Sequence, residues 1–210
     1  MSTEVYIPPP LPLEFHPGPM AWRHGDEAGK LVLEIGPGKG EFLLHLAQQD
    51  PHTRYVGLEL KRGRFEKICR RAEALELNNL IMVRGDAREC LPRLFPSQSL
   101  NRVYILFPDP WPKSRHKKHR LLKPIFINNL FNILKDKGEV YSATDAGFYS
   151  EEILQAFLEQ GGFAHECIAS LFPTYFENKW KAMGRNITYW KFTKFSPECR
   201  NSLPQINAAV

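Results

Sequence analysis

Asp109 stands in the run Phe107-Pro108-Asp109-Pro110-Trp111-Pro112-Lys113, followed without an intervening acid by Ser114-Arg115-His116-Lys117-Lys118-His119-Arg120. Prolines on both sides stiffen the backbone that carries the carboxylate. The ring of Trp111 can stack, the carboxylate can accept from the N–H groups of a base, and the cations can neutralise phosphates. Together these residue types suit the handling of a base attached to a polyanion. Trp111 has a second reading as a loop anchor packed on its own domain, and the cations have one as a solvated basic loop. His116 and His119 can titrate near neutrality and strengthen anion binding at lower pH, or simply lie exposed.

A second constellation lies upstream, where the apolar run Leu31-Val32-Leu33-Glu34-Ile35 enters the turn Gly36-Pro37-Gly38-Lys39-Gly40. A glycine turn after a buried strand brings backbone close to a nucleotide-like ligand, but Glu41 fills the place of the third glycine in the dinucleotide fingerprint. Glu34, Glu59 and Asp86 disfavour a pyrophosphate and favour a ligand with an ammonium, a sulfonium and a ribose, as in S-adenosylmethionine. In that reading Glu34 meets the ammonium, Glu59 accepts from both ribose hydroxyls, and Asp86 with Ala87 faces the adenine. The alternative for Glu34 and Asp86 is a helix cap or a surface charge.

These residues act together only if the chain brings them to one edge. The apolar pattern predicts strands at 31–35, 55–60, 80–83, 102–107 and 138–143. Helices are expected between them: one carrying Phe42, Leu43, Leu46 and Ala47 and ended by Asp50-Pro51, then others at 62–77, 124–134 and 148–160. The last third adds strands near 163–167 and 186–195, separated by an irregular segment. The alternation implies an α/β fold with a mainly parallel sheet, helices on both faces and an antiparallel edge. Ligands of such sheets sit outside the carboxyl ends of the strands, where Glu34, the glycine turn, Glu59, Asp86, Asp109 and Asp145 all fall. Residues 1–29, rich in proline, read as an extended arm with no assigned chemistry, 30–197 as the folded domain and 198–210 as a tail.

At 210 residues and 43% hydrophobic content the chain can bury one substantial core. A net charge of +5 and a pI near 9.0 are modest evidence for an acidic partner. The clustering of Lys113, Arg115, Lys117, Lys118, Arg120 and Lys123 is stronger evidence. No apolar run approaches a bilayer span and no secretory pattern opens the chain, so a cytoplasmic protein is expected. Cys69, Cys90, Cys167 and Cys199 form no Cys-x-x-Cys pair, and no metal site is expected.

Taken in order, Leu33-Glu34-Ile35-Gly36, Gly57-Leu58-Glu59, Asn79-Leu80, Asp86-Ala87, the Phe107 to Lys113 run with its basic tail, Ala143-Thr144-Asp145 and Thr174-Tyr175-Phe176-Glu177 resemble the bacterial tRNA (guanine-N7)-methyltransferases. The resemblance spans roughly residues 30–195, and its most specific part is the Asp109 run. It implies a class I, Rossmann-like S-adenosyl-L-methionine-dependent methyltransferase that forms 7-methylguanosine in the variable loop of tRNA and releases S-adenosyl-L-homocysteine. It implies that Glu34, Gly36, Gly38, Gly40, Glu59, Asp86, Ala87 and Asp109 bind the cofactor and that Asp109 is catalytic. Lys113, Asp145, Thr174, Tyr175, Phe176 and Glu177 fall to the substrate, and Arg115, His116, Lys117, Lys118, His119 and Arg120 to RNA. A monomer or homodimer without an obligate partner protein is expected. The sequence departs from the family at Pro37, where a large apolar residue is common, and at Asn178-Lys179-Trp180, where a basic residue and glycine are usual.

Two rivals stay open at this stage. Asp109-Pro110-Trp111 is similar to the Asp/Asn-Pro-Pro-aromatic motif of exocyclic-amine methyltransferases, but lacks the second proline. A non-catalytic RNA-binding module on the same fold is the other, and the intact row of Glu34, Glu59, Asp86 and Asp109 speaks against it.

Overall fold

All five residues of the strand Leu31–Ile35 are buried, as befits a central strand covered on both faces. The computed structural model describes residues 13–16, 29–170 and 174–195. In it the strands β1 (Glu14–His16), β2 (Leu31–Ile35), β3 (Arg54–Glu59), β4 (Leu80–Arg84), β5 (Leu100–Leu106), β6 (Leu134–Thr144), β7 (Phe163–Cys167) and β8 (Thr188–Lys194) form one sheet in the order β1-β4-β3-β2-β5-β6-β8-β7. β4, β3, β2, β5 and β6 run parallel, while β8 and β7 close one side antiparallel. The parallel core and antiparallel edge agree with the sequence-based expectation.

The helices are α1 (Glu41–Gln49), α2 (Arg62–Ala74), α3 (Ala87–Leu94), α4 (Pro124–Ile133), α5 (Gly147–Gln160) and α6 (Tyr175–Ala182). On one face Phe42, Leu43 and Leu44 of α1 and Phe65 and Ile68 of α2 pack with Val32, Met82 and Tyr104. On the other, Leu91 of α3, Phe126 and Ile127 of α4, and Tyr149 and Phe157 of α5 pack with Leu33, Val103 and Phe192. The strand order reverses between β3-β2 and β2-β5, which opens a crevice at the carboxyl end of β2.

Three differences from the sequence reading have local causes. Glu14–His16, inside the expected arm, pair antiparallel with Met82 to Arg84 of β4, tied by an Arg84–Glu14 ion pair. Residues 1–12 and 17–28 of that arm, and the tail, lie outside the described residues. α3 was not expected: Asp86 caps it by accepting from the Arg88 N–H at 2.9 Å, and Pro92 inside it hides the helical pattern. α6 replaces the irregular segment expected before β8. Smaller boundary shifts follow from left-handed residues. α2 stops at Ala74 before Glu76 (φ 51°), and β6 begins directly at Leu134 with a bulge around Lys137 (φ 61°).

Candidate active site at the carboxyl edge of the sheet

The glycine turn joins β2 to α1. Gly36, Gly38 and Gly40 all have φ between 61° and 75°, a region closed to most side chains, so the three glycines are a backbone requirement. Among the described residues a Cβ on Gly36 would meet nothing within 4 Å, which leaves space where a ligand can approach the backbone. A Cβ on Gly40 would instead lie 2.8 Å from Ile68, so that glycine also lets α2 pack close. Glu34, Gly36, Pro37, Gly38, Leu106 and Phe107 line a cleft here together with Thr174 and Tyr175.

Glu34 and Glu59 are each 3% exposed, and each leaves its Oε2 buried without a hydrogen-bond partner among the described residues. Glu59 Oε1 accepts from the Lys61 N–H at 2.8 Å. Burial, reinforced by the charge of Glu59, pushes the Glu34 carboxyl up to about 8. Leaving buried acceptors unsatisfied is costly, so two such oxygens beside an open glycine turn mark a place for a ligand that donates. The ammonium and ribose hydroxyls of S-adenosyl-L-methionine are donors of the right kind, and the residues present fit that group. Glu34, 3% exposed and inside β2, is therefore neither a cap nor a surface charge.

Asp86 does serve as a cap, and both its oxygens also accept from the Arg88 guanidinium, at 3.0 and 2.7 Å. Burial alone would raise this carboxyl, but the Arg88 contacts hold it below its ordinary range. Ala87 is buried at the first turn of α3.

β5 delivers the Asp109 loop. The Phe107 N–H donates to the Ala143 carbonyl of β6 at 2.8 Å, and the Asp109 carboxylate lies exposed beyond it. Phe107 (φ 53°) and Trp111 (φ 43°) bracket the acid in left-handed conformations, each costing about 1–3 kcal/mol for a non-glycine residue. The Trp111 ring, 37% exposed, sits 5.6 Å from His116 and 5.4 Å from His119 between centroids. These histidines belong to a short 3-10 segment, Ser114–His119, on which Arg115, Lys117, Lys118 and His119 are exposed, as is Lys113 just before it. Lys117 reaches Glu152 of α5 at 3.1 Å.

Arg120 corrects the expectation of a continuous RNA-contacting run. It is 5% exposed, its Nε and Nη2 donate to the carbonyls of Pro110 and Trp111 at 2.8 and 3.0 Å, and its Nη1 pairs with Glu152. A guanidinium so enclosed has no face for a phosphate.

α6 closes over the glycine turn. Thr174 Oγ1 accepts from the Glu177 N–H at 3.1 Å, and the Tyr175 N–H donates to Glu41 Oε2 at 2.9 Å. The Lys39 ammonium lies 3.2 Å from the Tyr175 ring centroid. Glu177, expected to meet substrate, turns inward instead. It is 1% exposed, accepts from the Ser170 hydroxyl at 2.6 Å and pairs with Lys181. Burial acts to raise its carboxyl, and those partners together hold it low. The side chain of Phe176 lies outside the described residues. Asp145, at the end of β6, pairs with Arg185, whose guanidinium stacks 4.2 Å from the Trp180 ring centroid. Lys39, Glu41, Glu152 and Arg185 escaped the sequence reading because their roles depend on neighbours distant in the chain.

The family described as "Putative methyltransferase" matches residues 28–190. A protein of Thermotoga maritima named tRNA (guanine-N(7)-)-methyltransferase is 37% identical over 180 residues, covering 83% of this chain and 57% of that one. A protein of the same name from Chlorobium phaeobacteroides is 37% identical over 164 residues, covering 76% of this chain and 80% of its own. The chain thus spans little more than half the length of the Thermotoga relative. Among solved structures, the 16S rRNA methyltransferase KamB superposes with a TM-score of 0.60 at 18% identity, covering 80% of this chain and 88% of that one. TrmN from Thermus thermophilus gives 0.58 at 19% identity, covering 80% and 44%. At those identities the likeness shows the fold, a class I methyltransferase sheet. With its sequence matches extending across the glycine turn and the Asp109 loop, the chain belongs to the tRNA (guanine-N(7)-)-methyltransferase family.

Proposed function

We propose that this chain transfers a methyl group from S-adenosyl-L-methionine to N7 of a guanosine in tRNA, in the variable loop. The observation that carries the proposal is the pair of buried oxygens on Glu34 and Glu59, unpartnered among the described residues and set beside the glycine turn, with Glu34 on the strand next to β5 and its Asp109 loop and Glu59 one strand further. Bound S-adenosyl-L-methionine supplies an electrophilic methyl group on a positively charged sulfur. Glu34 holds its ammonium, Glu59 its ribose hydroxyls, Gly36, Gly38 and Gly40 let it approach the backbone, and Asp86 with Ala87 borders the adenine.

Guanine N7 already carries an in-plane lone pair, so no proton need leave the nucleophile and no strong base is required. The chain must align the base and stabilise the positive charge that moves onto the purine. Asp109 does both by accepting from guanine N–H groups and offsetting that charge. Lys113, Arg115, Lys117 and Lys118 neutralise phosphates, which sets affinity and register without reading sequence. Trp111, with His116 and His119 around it, offers a stacking surface. Asp145 and Tyr175 border the base, Thr174 sets the start of α6, and Glu177 acts from behind as its buried support. Among the described residues no helix is long and apolar enough to cross a membrane. A cytoplasmic monomer or homodimer fits a tRNA substrate.

Incubation with unmodified tRNA and methyl-labelled S-adenosyl-L-methionine, followed by digestion to nucleosides, tests the proposal. Labelled 7-methylguanosine is expected. Label on an adenosine amine would overturn the base assignment, and absence of label despite measured cofactor binding would overturn tRNA as the acceptor.

A further inference from the structure

We propose that Arg120 and Glu152 form a clamp that positions Asp109, so that Arg120 is a positioning residue for methyl transfer and not an RNA contact. The inference rests on the reading of Asp109 as the residue that meets the base. Pro108, Pro110 and Pro112 have no N–H, so the loop has few backbone donors with which to hold itself. Its first anchor is the Phe107 N–H on the Ala143 carbonyl, two residues before Asp109. Its second is Arg120, which takes the carbonyls of Pro110 and Trp111, the two residues after Asp109. The left-handed conformations of Phe107 and Trp111 persist only if neighbouring structure over-determines them, and Arg120 supplies that constraint on the Trp111 side.

The choice of arginine follows from the geometry. Three directions of the guanidinium plane are used at once, toward two carbonyls and a carboxylate, while Phe148 and Tyr149 lie 5.0 and 5.6 Å away between the guanidinium carbon and their ring centroids. A lysine ammonium has the charge but not the fork. Glu152 also meets Lys117, so α5 fixes the loop that carries the acid and the middle of the basic segment through one side chain.

The test compares Arg120→Lys, Glu152→Gln and Asp109→Asn in the full chain, by single-turnover methyl transfer at saturating tRNA and cofactor. Kd for tRNA as a function of salt and Kd for the cofactor are measured beside it. For Arg120→Lys the saturated rate is expected to fall about tenfold to a hundredfold, as for small misplacements of a reacting group, with tRNA affinity and salt slope unchanged. Glu152→Gln should lower the rate in the same direction, and carries the test if Arg120→Lys folds poorly by circular dichroism. An unchanged saturated rate with weaker tRNA binding and a shallower salt slope would make Arg120 a phosphate contact and overturn the clamp, as would wild-type behaviour throughout. A near-normal rate in Asp109→Asn would overturn the underlying reading of Asp109, and the clamp with it. Loss of rate there with full rate in the two clamp variants would overturn the clamp alone.

Discussion

Glu34 keeps its proton up to about pH 8 in the cofactor-free chain, whereas the unfolded carboxyl releases it near 4.5. Between those values the folded state holds more protons than the unfolded one, so this group's contribution to stability falls as pH rises through the window. Glu34→Gln should therefore stabilise the cofactor-free protein at pH 8 by an amount on the order of a few kcal/mol, read as a higher melting temperature. A drop in melting temperature would contradict the assignment. The same carboxyl must ionise to meet an ammonium, so cofactor affinity should weaken from pH 8 to pH 6.5, by up to about tenfold per unit, with proton release on binding. Calorimetry in buffers of different ionisation heat measures both. Asp109→Asn should lower the saturated rate by about a hundredfold or more while cofactor affinity changes little, the pattern expected when only transition-state charge stabilisation is lost. Equal losses in both would assign Asp109 to cofactor binding alone.

At the level of elements, α6 is a short helix whose place depends on its cap. Thr174→Ala removes the acceptor for the Glu177 N–H, at about 1 kcal/mol of local stability, and loosens the seat of Tyr175 on Glu41. The expected result is a severalfold higher KM for the cofactor with kcat retained; an unchanged KM would show that α6 does not shape that pocket. The strands that carry Glu34, Glu59, Asp109 and Asp145 were legible because buried parallel strands are nearly continuous apolar runs and each acid falls where such a run stops. Other features were not. β1 is three residues inside a proline-rich stretch, and only pairing with β4 makes it a strand. Arg120 looks like its cationic neighbours in sequence, and only α5 packing against it separates a clamp from a surface charge. Glu177 and Asp86 read as available acceptors until their helices and partners are in place.

Across the whole molecule the charge is sorted, with buried acids at the cofactor end of the crevice and exposed cations on the segment after the Asp109 loop. Replacing both Lys113 and Lys118 with alanine should weaken tRNA binding and reduce the slope of log affinity against log salt by about 1.5 to 2, while cofactor affinity stays the same. An unaltered slope would place those lysines away from phosphate. The buried acids have another consequence. Methyl transfer alters only the sulfur, whereas Glu34 and Glu59 are assigned to the ammonium and the ribose, which the demethylated product keeps. The crevice therefore has little means of telling fresh cofactor from used, beyond one sulfonium charge. If the chain carries out the proposed transfer, the demethylated product is expected to compete with the cofactor, and turnover should track the ratio of the two and the activity of whatever enzyme removes the product.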